Sequence, residues 1–453
     1  MSAPRKMTLL PLIAAIYFLV AGGPFGLEDI VSKSGYTGAI LILLATPIVW
    51  AIPTALMVSE LSSALPDQGG YYVWVTRGMG HFWGFQEAWL SLAGSVFDVA
   101  IYPTLFVAYL GHLLPWMTAG PRGAVIAIAL VAAAAAWNLM GAKSVGDSSV
   151  LMGMVLLAPF AVLTIYGFLH PAVPTGGAVP LSHIDLLGGI LVAVWNYMGW
   201  DYASTVANEV AYPHRTYPRA MAGAVALVTI TYVVPIAAVA MTGLDANRWS
   251  TGGWADVAKA VIPGAGAREA MAVIVTIGGM LGAWGTLNAQ TMQYSRLPAV
   301  MADDGLLPRI FARRRAATGA PWIAILACAA AWMACLQLSF LKLIVLDVLL
   351  TGLSLLLEFA ALVALRIREP ELPRPYRVPF GLAGAIGVGL LPLALLVLAM
   401  FRNQVEPVGP INALELGAIL VAAGVPAYWW ANRQRARRWD PAGQGSRRRE
   451  KLD

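Results

Sequence analysis

The first apolar segment of the chain is interrupted by Val20-Ala21-Gly22-Gly23-Pro24-Phe25-Gly26-Leu27-Glu28-Asp29, the most informative sequence for the architecture of the protein. Three glycines and a proline lie within the five residues Gly22 to Gly26, a run that cannot propagate a regular helix. Unwound backbone at membrane depth is tolerated only where it lines a cavity or a site. If the surrounding chain crosses a membrane, the break therefore predicts a binding site inside it.

The composition indicates that the chain does cross a membrane. Of its 453 residues, 59% are hydrophobic and only 12% are charged, and the mean hydropathy is +0.70. Soluble proteins carry about 25% charged residues. The charges here fall in islands between apolar runs of about 20 residues, the length that crosses a bilayer core. We therefore expect a multi-pass membrane protein rather than a set of soluble domains.

The apolar runs predict about twelve transmembrane helices, two of them interrupted. The predicted spans are 7–34 (interrupted), 37–65, 82–114, 124–140, 148–170, 184–210 (interrupted), 220–242, 270–297, 321–338, 341–365, 380–401 and 414–430. Basic residues favour the cytoplasmic side of a membrane. With both termini cytoplasmic, few of the 30 Lys and Arg residues remain outside, namely Lys33, Arg122, Arg248, Lys259, Arg268, Lys342 and Arg402. We therefore place both termini in the cytoplasm.

A second break lies in the sixth span, at Trp195-Asn196-Tyr197-Met198-Gly199-Trp200-Asp201, where a glycine precedes an intramembrane carboxylate. The two breaks open matching halves of five spans each, a pattern typical of inverted-repeat secondary transporters with a site near the midplane. The predicted fold is an all-α membrane protein with a 5+5 inverted repeat, broken first and sixth helices and two extra helices. Its predicted units are the repeats 7–170 and 184–365, spans eleven and twelve at 380–430, and a basic cytoplasmic tail at 432–453.

Other chemistries find little support in the sequence. There is no phosphate-binding Gly-Lys-Ser/Thr loop, which argues against ATP-driven transport by this chain. Cys328 and Cys335 lie seven residues apart on one helix face and are interpreted as small buried residues rather than a disulfide or metal pair. The Arg-rich tail indicates orientation and contact with anionic lipid of the bilayer, not nucleic acid. We expect no metal and no cofactor.

Several short motifs occur in an order that resembles a known family. They are Gly22-Gly23-Pro24-Phe25-Gly26, Ser59-Glu60-Leu61, Gly69-Gly70-Tyr71-Tyr72-Val73-Trp74, Pro218-Arg219-Ala220, Ser295-Arg296-Leu297, Met301-Ala302-Asp303-Asp304-Gly305-Leu306-Leu307-Pro308 and Arg374-Pro375-Tyr376-Arg377-Val378-Pro379. From about residue 8 to 428 the chain resembles the amino acid–polyamine–organocation superfamily of permeases. The first break, Gly23-Pro24-Phe25-Gly26 followed by Glu28-Asp29, is most similar to the polyamine and L-type amino acid transporter branch.

The resemblance leaves the substrate open between an amino acid and a polyamine. Many amino-acid permeases of the superfamily carry Gly-Ser/Thr-Gly at the first break, where backbone amides hold a substrate carboxylate. Pro24 has no N–H, which weakens that interaction without excluding it. In span eight, however, Asn288 and Gln290 stand where the resemblance to the polyamine branch implies carboxylates, so fewer acids are available to a polycation.

Acids within the spans are the strongest candidates for substrate contact, because an uncompensated carboxylate near the bilayer centre costs at least ~2.5 kcal/mol. Asp201 is interpreted as an ammonium ligand; the alternative is a structural bond to backbone or to Tyr197. Asp98 and Tyr102 share a helix face and could hold an amine, or could form an interhelical hydrogen bond. Glu28 is a candidate amine or proton site, or simply stabilises a helix start. The predicted substrate-binding set is Gly22, Gly23, Pro24, Phe25, Gly26, Glu28, Asp98, Tyr102, Tyr197, Gly199, Trp200 and Asp201.

Further acids are assigned to gating or coupling: Glu60, Glu209, Asp347 and Glu358. Glu60 and Glu209 lie near cytoplasmic span ends and are expected to pair with basic residues there, either as an inner gate or statically; those residues are Arg77, Arg215 and Arg219. Asp347 is expected to serve an outer gate. Glu87 is expected to be a structural partner of Arg77 or of the span ends.

The predicted function is secondary active transport of an amine-bearing solute, an amino acid or a polyamine, across the inner or plasma membrane by alternating access. Coupling to H⁺, coupling to Na⁺ and exchange all remain open. One alternative is a solute-binding membrane sensor, which the short tail disfavours. Another is a membrane-embedded enzyme, for which no nucleophile–base spacing is present. The transporter interpretation predicts no enzymatic activity.

Overall fold

The computed structural model describes residues 8–66, 69–140, 149–172, 185–202, 204, 210–403, 407–408 and 410–438. Its helices are α1 (Leu9–Val20), α2 (Glu28–Thr46), α3 (Ile52–Ala64), α4 (Tyr71–Met79), α5 (His81–Leu113), α6 (Pro115–Thr118), α7 (Pro121–Leu139), α8 (Ser149–Leu169), α9 (Leu186–Asn196), α10 (Pro213–Met241), α11 (Trp254–Val261), α12 (Ala265–Tyr294), α13 (Arg296–Asp303), α14 (Trp322–Ala334), α15 (Phe340–Arg368), α16 (Gly381–Asn403) and α17 (Ala413–Arg438). Two short strands, β1 (Pro407–Val408) and β2 (Ile411–Asn412), pair antiparallel.

The predicted helical membrane architecture is confirmed. Eight helical segments in the described ranges are long and apolar enough to cross a membrane: Glu28–Ala64, His81–Leu113, Pro121–Leu139, His214–Met241, Ala265–Asp303, Phe340–Arg368, Gly381–Met400 and Ala413–Arg433. Four shorter apolar helices accompany them: Leu9–Val20, Leu156–Leu169, Leu186–Asn196 and Trp322–Ala334. Each predicted span contains one of these segments or part of one.

The boundary between the first two predicted spans is a kink inside α2. Gly35 has φ 65° and ψ 175°, values outside the helical region, and it divides the helix between the predicted limits of residues 34 and 37. Farther along, a π-helical segment at Pro47–Ala51 joins α2 to α3. Glycine and proline interrupt the regular helical hydrogen bonds at these two positions, so the helix changes its geometry there.

Helices α5 and α15 form the centre of the bundle and run antiparallel. The Ser91 and Ser354 hydroxyl oxygens are 2.9 Å apart. One turn along α5, a Cβ atom on Gly94 would lie 2.5 Å from the Thr351 hydroxyl, so only glycine permits this approach. The contacts pair higher numbers on α5 with lower numbers on α15, which fixes the opposite directions of the two helices.

Some predicted boundaries differ from the structure by several residues. Helix α10 begins at Pro213, seven residues before the predicted start at residue 220, because proline is well suited to the first helical turn. The predicted tail from Asn432 begins as helix, since α17 continues to Arg438. The rest of that tail, residues 439–453, lies outside the described residues.

Candidate functional site

The predicted first break is present between α1 and α2. Gly22, Gly23 and Gly26 have φ values of 59°, 102° and 81°, a region that side-chain-bearing residues rarely occupy. At Gly23 an added Cβ atom would also lie 2.3 Å from the Leu156 side chain on α8. The glycines are therefore needed both for the backbone conformation and for the close packing around it.

Backbone carbonyls in this break are bound by side chains from other helices. The Trp254 indole N–H on α11 donates to the Pro24 carbonyl at 2.7 Å. The Asn196 amide donates to the Gly26 carbonyl at 3.3 Å. Since Asn196 is the last residue of α9, the first break is tied directly to the helix that ends at the second.

The predicted second break, after α9, lies against the end of α1. Gly199 has φ 93°, and a Cβ atom there would lie 3.0 Å from the Leu19 carbonyl. The Trp200 indole donates to the Tyr197 carbonyl at 2.7 Å, and the Tyr197 hydroxyl donates to the Leu43 carbonyl at 3.0 Å. Both aromatic residues are fully buried, and their polar atoms stabilise backbone at the break. The Tyr197 hydroxyl is thus directed at α2, not at Asp201.

Asp98, in the middle of α5, lies within a buried group of phenols. Its carboxylate accepts hydrogen bonds from the Tyr102 hydroxyl at 3.3 Å and from the Tyr294 hydroxyl at 3.2 Å. Tyr294 is also hydrogen-bonded to Tyr202, and the Gln290 amide donates to the Tyr102 hydroxyl at 3.0 Å. The predicted pair Asp98 and Tyr102 is therefore brought together, within a network drawn from three parts of the chain.

Aromatic rings form one wall beside this network. The rings of Trp195 and Tyr102 have centroids 6.3 Å apart, and Trp195 packs edge-on against Phe340 at 5.6 Å. Such rings can attract an ammonium group through their π faces. Trp195 therefore joins the break in span six to the carboxylate in span three.

Glu28 occupies a separate buried position at the start of α2. The Tyr109 hydroxyl donates to its Oε1 atom at 2.5 Å, whereas Oε2 has no hydrogen-bond partner in the described chain. Phe25 packs edge-on against the same Tyr109, with ring centroids 5.3 Å apart. The neighbouring Asp29 instead accepts from the Thr251 hydroxyl at 2.9 Å. Adjacent acids thus have different environments, and Glu28 has a buried acceptor atom without a partner among the described residues.

Further buried acids lie near Asp98. Asp347 accepts from the Thr351 hydroxyl at 2.7 Å, and it lies close enough to Asp98 and Asp201 for the charges to interact. Asp201 is also close to Glu358. Two predicted substrate ligands, Asp98 and Asp201, and two predicted gate acids, Asp347 and Glu358, therefore form one buried group.

Within the described residues, the buried Glu60 pairs with arginines, but six other buried acids in the spans form no salt bridge with Lys, Arg or His; these six are Glu28, Glu87, Asp98, Asp201, Asp347 and Glu358. No three acid, His or Cys side chains in the same ranges are arranged to hold a metal ion. A buried carboxylate that lacks a base either takes up a proton or pairs with a cation from elsewhere, because an unpaired buried charge is unstable.

Comparison with known proteins identifies the family. Residues 13–422 match the amino acid permease family. The chain belongs to this family. The permease is 34% identical over 427 residues to the polyamine transporter PUT1 of Oryza sativa subsp. japonica, covering 93% of this chain and 79% of the relative. It is 33% identical over 436 residues to the polyamine transporter RMV1 of Arabidopsis thaliana, covering 92% and 84%.

A more distant relative has a different named activity. The permease is 25% identical over 391 residues to the serine/threonine exchanger SteT of Bacillus subtilis (strain 168), covering 84% of this chain and 86% of the relative. Family and relatives agree that the chain is a membrane transporter.

The partners predicted for Glu60 are wrong. In the permease, Glu60 is fully buried at the end of α3 and is bound by two arginines from the other half of the chain. Arg366 donates to both carboxylate oxygens, Arg374 lies 3.4 Å away, and the Val378 amide donates at 2.7 Å. The loop after α15 folds back over α3, a long-range contact that proximity along the chain did not reveal. The other predicted gate acid, Glu209, lies outside the described residues.

The prediction that Glu87 pairs with Arg77 is also wrong. Arg77 donates to Glu369 at 2.9 and 2.7 Å, at the end of α15. These hydrogen bonds hold the pKa of Glu369 below its ordinary value. Glu87 is buried and accepts from Ser91 at 2.8 Å and from Ser354 at 3.0 Å. Because Glu87 projects from the inner face of α5, it cannot reach the exposed arginine.

Sequence reasoning missed three polar residues that complete the Asp98 network. Tyr202 and Tyr294 were not singled out, and Gln290 was noted only because it is not a carboxylate. Tyr202 directly follows Asp201, so its position beside the second break could have identified it as a candidate site residue. Tyr294 offered none, because its contact with Asp98 joins residues 196 positions apart.

Proposed function

We propose that this permease is a secondary active transporter that carries an amine-bearing solute, with polyamines favoured over amino acids. One observation supports this most strongly: six acids buried among the spans, Glu28, Glu87, Asp98, Asp201, Asp347 and Glu358, form no salt bridge with a basic residue in the described ranges. The ammonium groups of a polycation would supply the positive charges that these acids lack. The relatives named polyamine transporters, 32–35% identical, add support from a second direction.

The proposed architecture has twelve spans. Residues 7–170 and 184–365 form two inverted repeats of five, residues 380–430 add two helices, and both termini are cytoplasmic. The contacts between the breaks support a shared site, since Asn196 binds the Gly26 carbonyl and Gly199 lies against Leu19. Alternating access would rock the broken-helix bundle against the remaining spans around this site, as in other inverted-repeat transporters.

In this proposal Asp98 is the primary ammonium ligand. An ammonium group donates three hydrogen bonds, and a charge-assisted bond to carboxylate is about twice as strong as a neutral one. It would replace the Tyr102 and Tyr294 hydroxyls that now satisfy Asp98. The rings of Tyr102 and Trp195 would then face the cation, and Asp201 would bind a second amine or shield the first.

An amino acid is the second candidate substrate, and the structure of the first break weighs against it. A carboxylate would need free N–H donors there, but Pro24 has none. The Pro24 carbonyl instead points at Trp254 and accepts its indole N–H. Because the permease is similar to a serine/threonine exchanger, the uptake experiment below includes an amino acid, serine.

The test is uptake by proteoliposomes that contain the purified permease. Labelled putrescine, spermidine and serine are supplied outside, with protein-free liposomes as the control. We expect saturable uptake of the two polyamines, competed by excess unlabelled polyamine and not by serine. Uptake of serine alone would assign the amino-acid function, and no flux of any of the three solutes would contradict the transporter proposal for amines.

Transport is proposed to be coupled to H⁺ or Na⁺ and to take place in the inner or plasma membrane. The same vesicles test the coupling when a proton gradient and a sodium gradient are imposed separately. A coupled carrier accumulates polyamine against its concentration gradient under one of them. Equal fluxes with and without each gradient would contradict ion coupling and favour exchange or facilitated diffusion.

A further inference from the structure

Two polar stripes face each other along the centre of the bundle. On α5 the stripe is Glu87, Ser91, Asp98, Tyr102 and Tyr109, at spacings that keep all five on one helix face. On α15 the facing stripe is Asp347, Thr351, Ser354 and Glu358. The close contact of Ser91 with Ser354 joins the two stripes. The acids are therefore ends of a polar path between two helices, not isolated charges.

The stripes place acids at two levels. Asp98 and Glu87 are eleven residues apart on α5, and Asp347 and Glu358 are eleven residues apart on α15. At 1.5 Å per residue, each pair is separated by about 16 Å along its helix axis. Because the helices are antiparallel, Asp98 meets Asp347 at one level and Glu87 meets Glu358 at the other. The charge of Asp201 interacts with Asp98 and with Glu358, one acid at each level.

Glu87 and Glu358 each carry a carboxylate oxygen that accepts no hydrogen bond from the described part of the chain. Glu87 is 0% and Glu358 is 1% exposed, and the Oε2 atom of each has no hydrogen-bond partner among the described residues. Buried polar atoms in proteins are nearly always paired. The phenol of Tyr71 is also close to both acids and to Asp201, so an aromatic group borders the same space.

Protonation accounts for these atoms only where one carboxyl donates to the other. A protonated carboxyl gains an O–H donor, and the facing acid would have to supply its acceptor. The two serines beside Glu87 already donate to its Oε1 atom, so they leave its Oε2 atom unpaired. An ammonium group offers three donors to several carboxylate oxygens at once, which fits acceptors that converge from two helices.

We propose that Glu87, Asp201 and Glu358 form a second ammonium subsite, which binds the far end of a long polyamine held by Asp98 at its near end. The inference rests on the proposed function and deepens it by adding selection for length. An extended chain advances about 1.2 Å per bond, so the terminal nitrogens lie about 6 Å apart in putrescine, 11 Å in spermidine and 16 Å in spermine. A diamine reaches only the first level, whereas a tetraamine reaches both.

The experiment measures the binding of putrescine, spermidine and spermine to the purified full-length permease by calorimetry. Wild type is compared with E87Q and E358Q, which keep the side-chain shape and remove one buried charge each. The matched control is E269Q, because Glu269 forms an exposed surface pair with Lys259. We expect wild type and E269Q to bind spermine at least about tenfold more tightly than putrescine, as one added charge-assisted contact implies.

In E87Q and E358Q the preference for spermine should fall to about twofold or less, while the putrescine affinity stays within about twofold of wild type. An unchanged preference in both variants would overturn the subsite. An equal loss for all three amines would also overturn it, because it would indicate a shared proton or structural role. If wild type binds no amine at all, the proposed function itself fails, which is a distinguishable result.

A second measurement needs no variant and therefore does not depend on how the variants fold. N1-acetylspermine keeps the length of spermine but loses one terminal ammonium. Wild type should bind it at least about tenfold more weakly than spermine, because one acid level is left without its cation. Equal affinities for the two compounds would overturn the proposal.

Discussion

The Glu60 clamp offers a sharp test of how the two halves of the permease are held together. Glu60 on α3 is fully buried and binds Arg366 and Arg374, whose side chains are 10% and 5% exposed. The Val378 amide completes the site at 2.7 Å. The substitution E60Q removes the negative charge but keeps the shape of the side chain. It leaves two nearly buried guanidinium groups without their counter-ion.

The expected destabilisation by E60Q is large. Breaking a buried ion pair by removing one partner typically costs about 3–5 kcal/mol, because an uncompensated charge stays behind. The matched control is E369Q, which breaks the pair with Arg77. That pair has side chains 33% and 41% exposed, and exposed pairs contribute about 0–1 kcal/mol. Both substitutions replace a glutamate that is paired with arginine by glutamine, and the two ion pairs differ in how deeply they are buried.

The assay is thermal denaturation of the purified proteins in detergent, followed by loss of the monodisperse peak on size-exclusion chromatography. E60Q should have a clearly lower midpoint than both wild type and E369Q. The triple variant E60Q/R366Q/R374Q should recover part of the loss, since it also removes the stranded positive charges. A midpoint for E60Q equal to that of E369Q would refute the argument that burial makes this clamp strong.

Two further predictions concern the breaks. W254F removes the donor to the buried Pro24 carbonyl, and leaving that acceptor unpaired should cost about 1–3 kcal/mol, seen as a lower midpoint in the same assay; an unchanged midpoint would show that the contact is dispensable. G199A adds a Cβ atom 3.0 Å from the Leu19 carbonyl at φ 93°, whereas G264A adds one at φ 81° with nothing within 4 Å. G199A should therefore reduce stability and amine binding more than G264A, and equal effects would mean that backbone strain alone matters.

The sequence was sufficient to predict both breaks, because their cause is local. Glycine and proline interrupt a helix wherever they cluster, and Gly22 to Gly26 and Gly199 do so at the predicted places. The approximate positions of the apolar helices also followed from the lengths of the apolar runs. The end of α2 and the kink at Gly35 are examples in which one residue sets a boundary.

The partners of the charged residues could not be predicted in the same way. Glu60 was expected beside arginines near it in sequence, but it binds Arg366 and Arg374, about 300 positions away. Glu87 was assigned to Arg77 on the same grounds, although helix direction turns it inward. Such pairs depend on which helix faces pack together, and hydropathy patterns do not specify the packing of twelve similar apolar segments.

The polar stripes show an intermediate case. The spacing of Asp347 and Glu358 on one face was visible in the sequence, and so was that of Asp98 and Tyr102. The sequence does not indicate that α5 and α15 pack against each other. This packing brings the two polar stripes together into one continuous polar path. The contact that establishes this is the pair Ser91 and Ser354.

If the buried Asp98 carboxylate holds a substrate amine, its loss should be visible in the uptake of labelled spermidine by proteoliposomes that carry D98N. E269Q is the control for substitution of an exposed acid. We expect D98N to reconstitute as a monodisperse protein but to lose saturable spermidine uptake by at least about tenfold, the effect of one charge-assisted contact, while E269Q retains it. Uptake by D98N with the affinity and rate of wild type would contradict the claim.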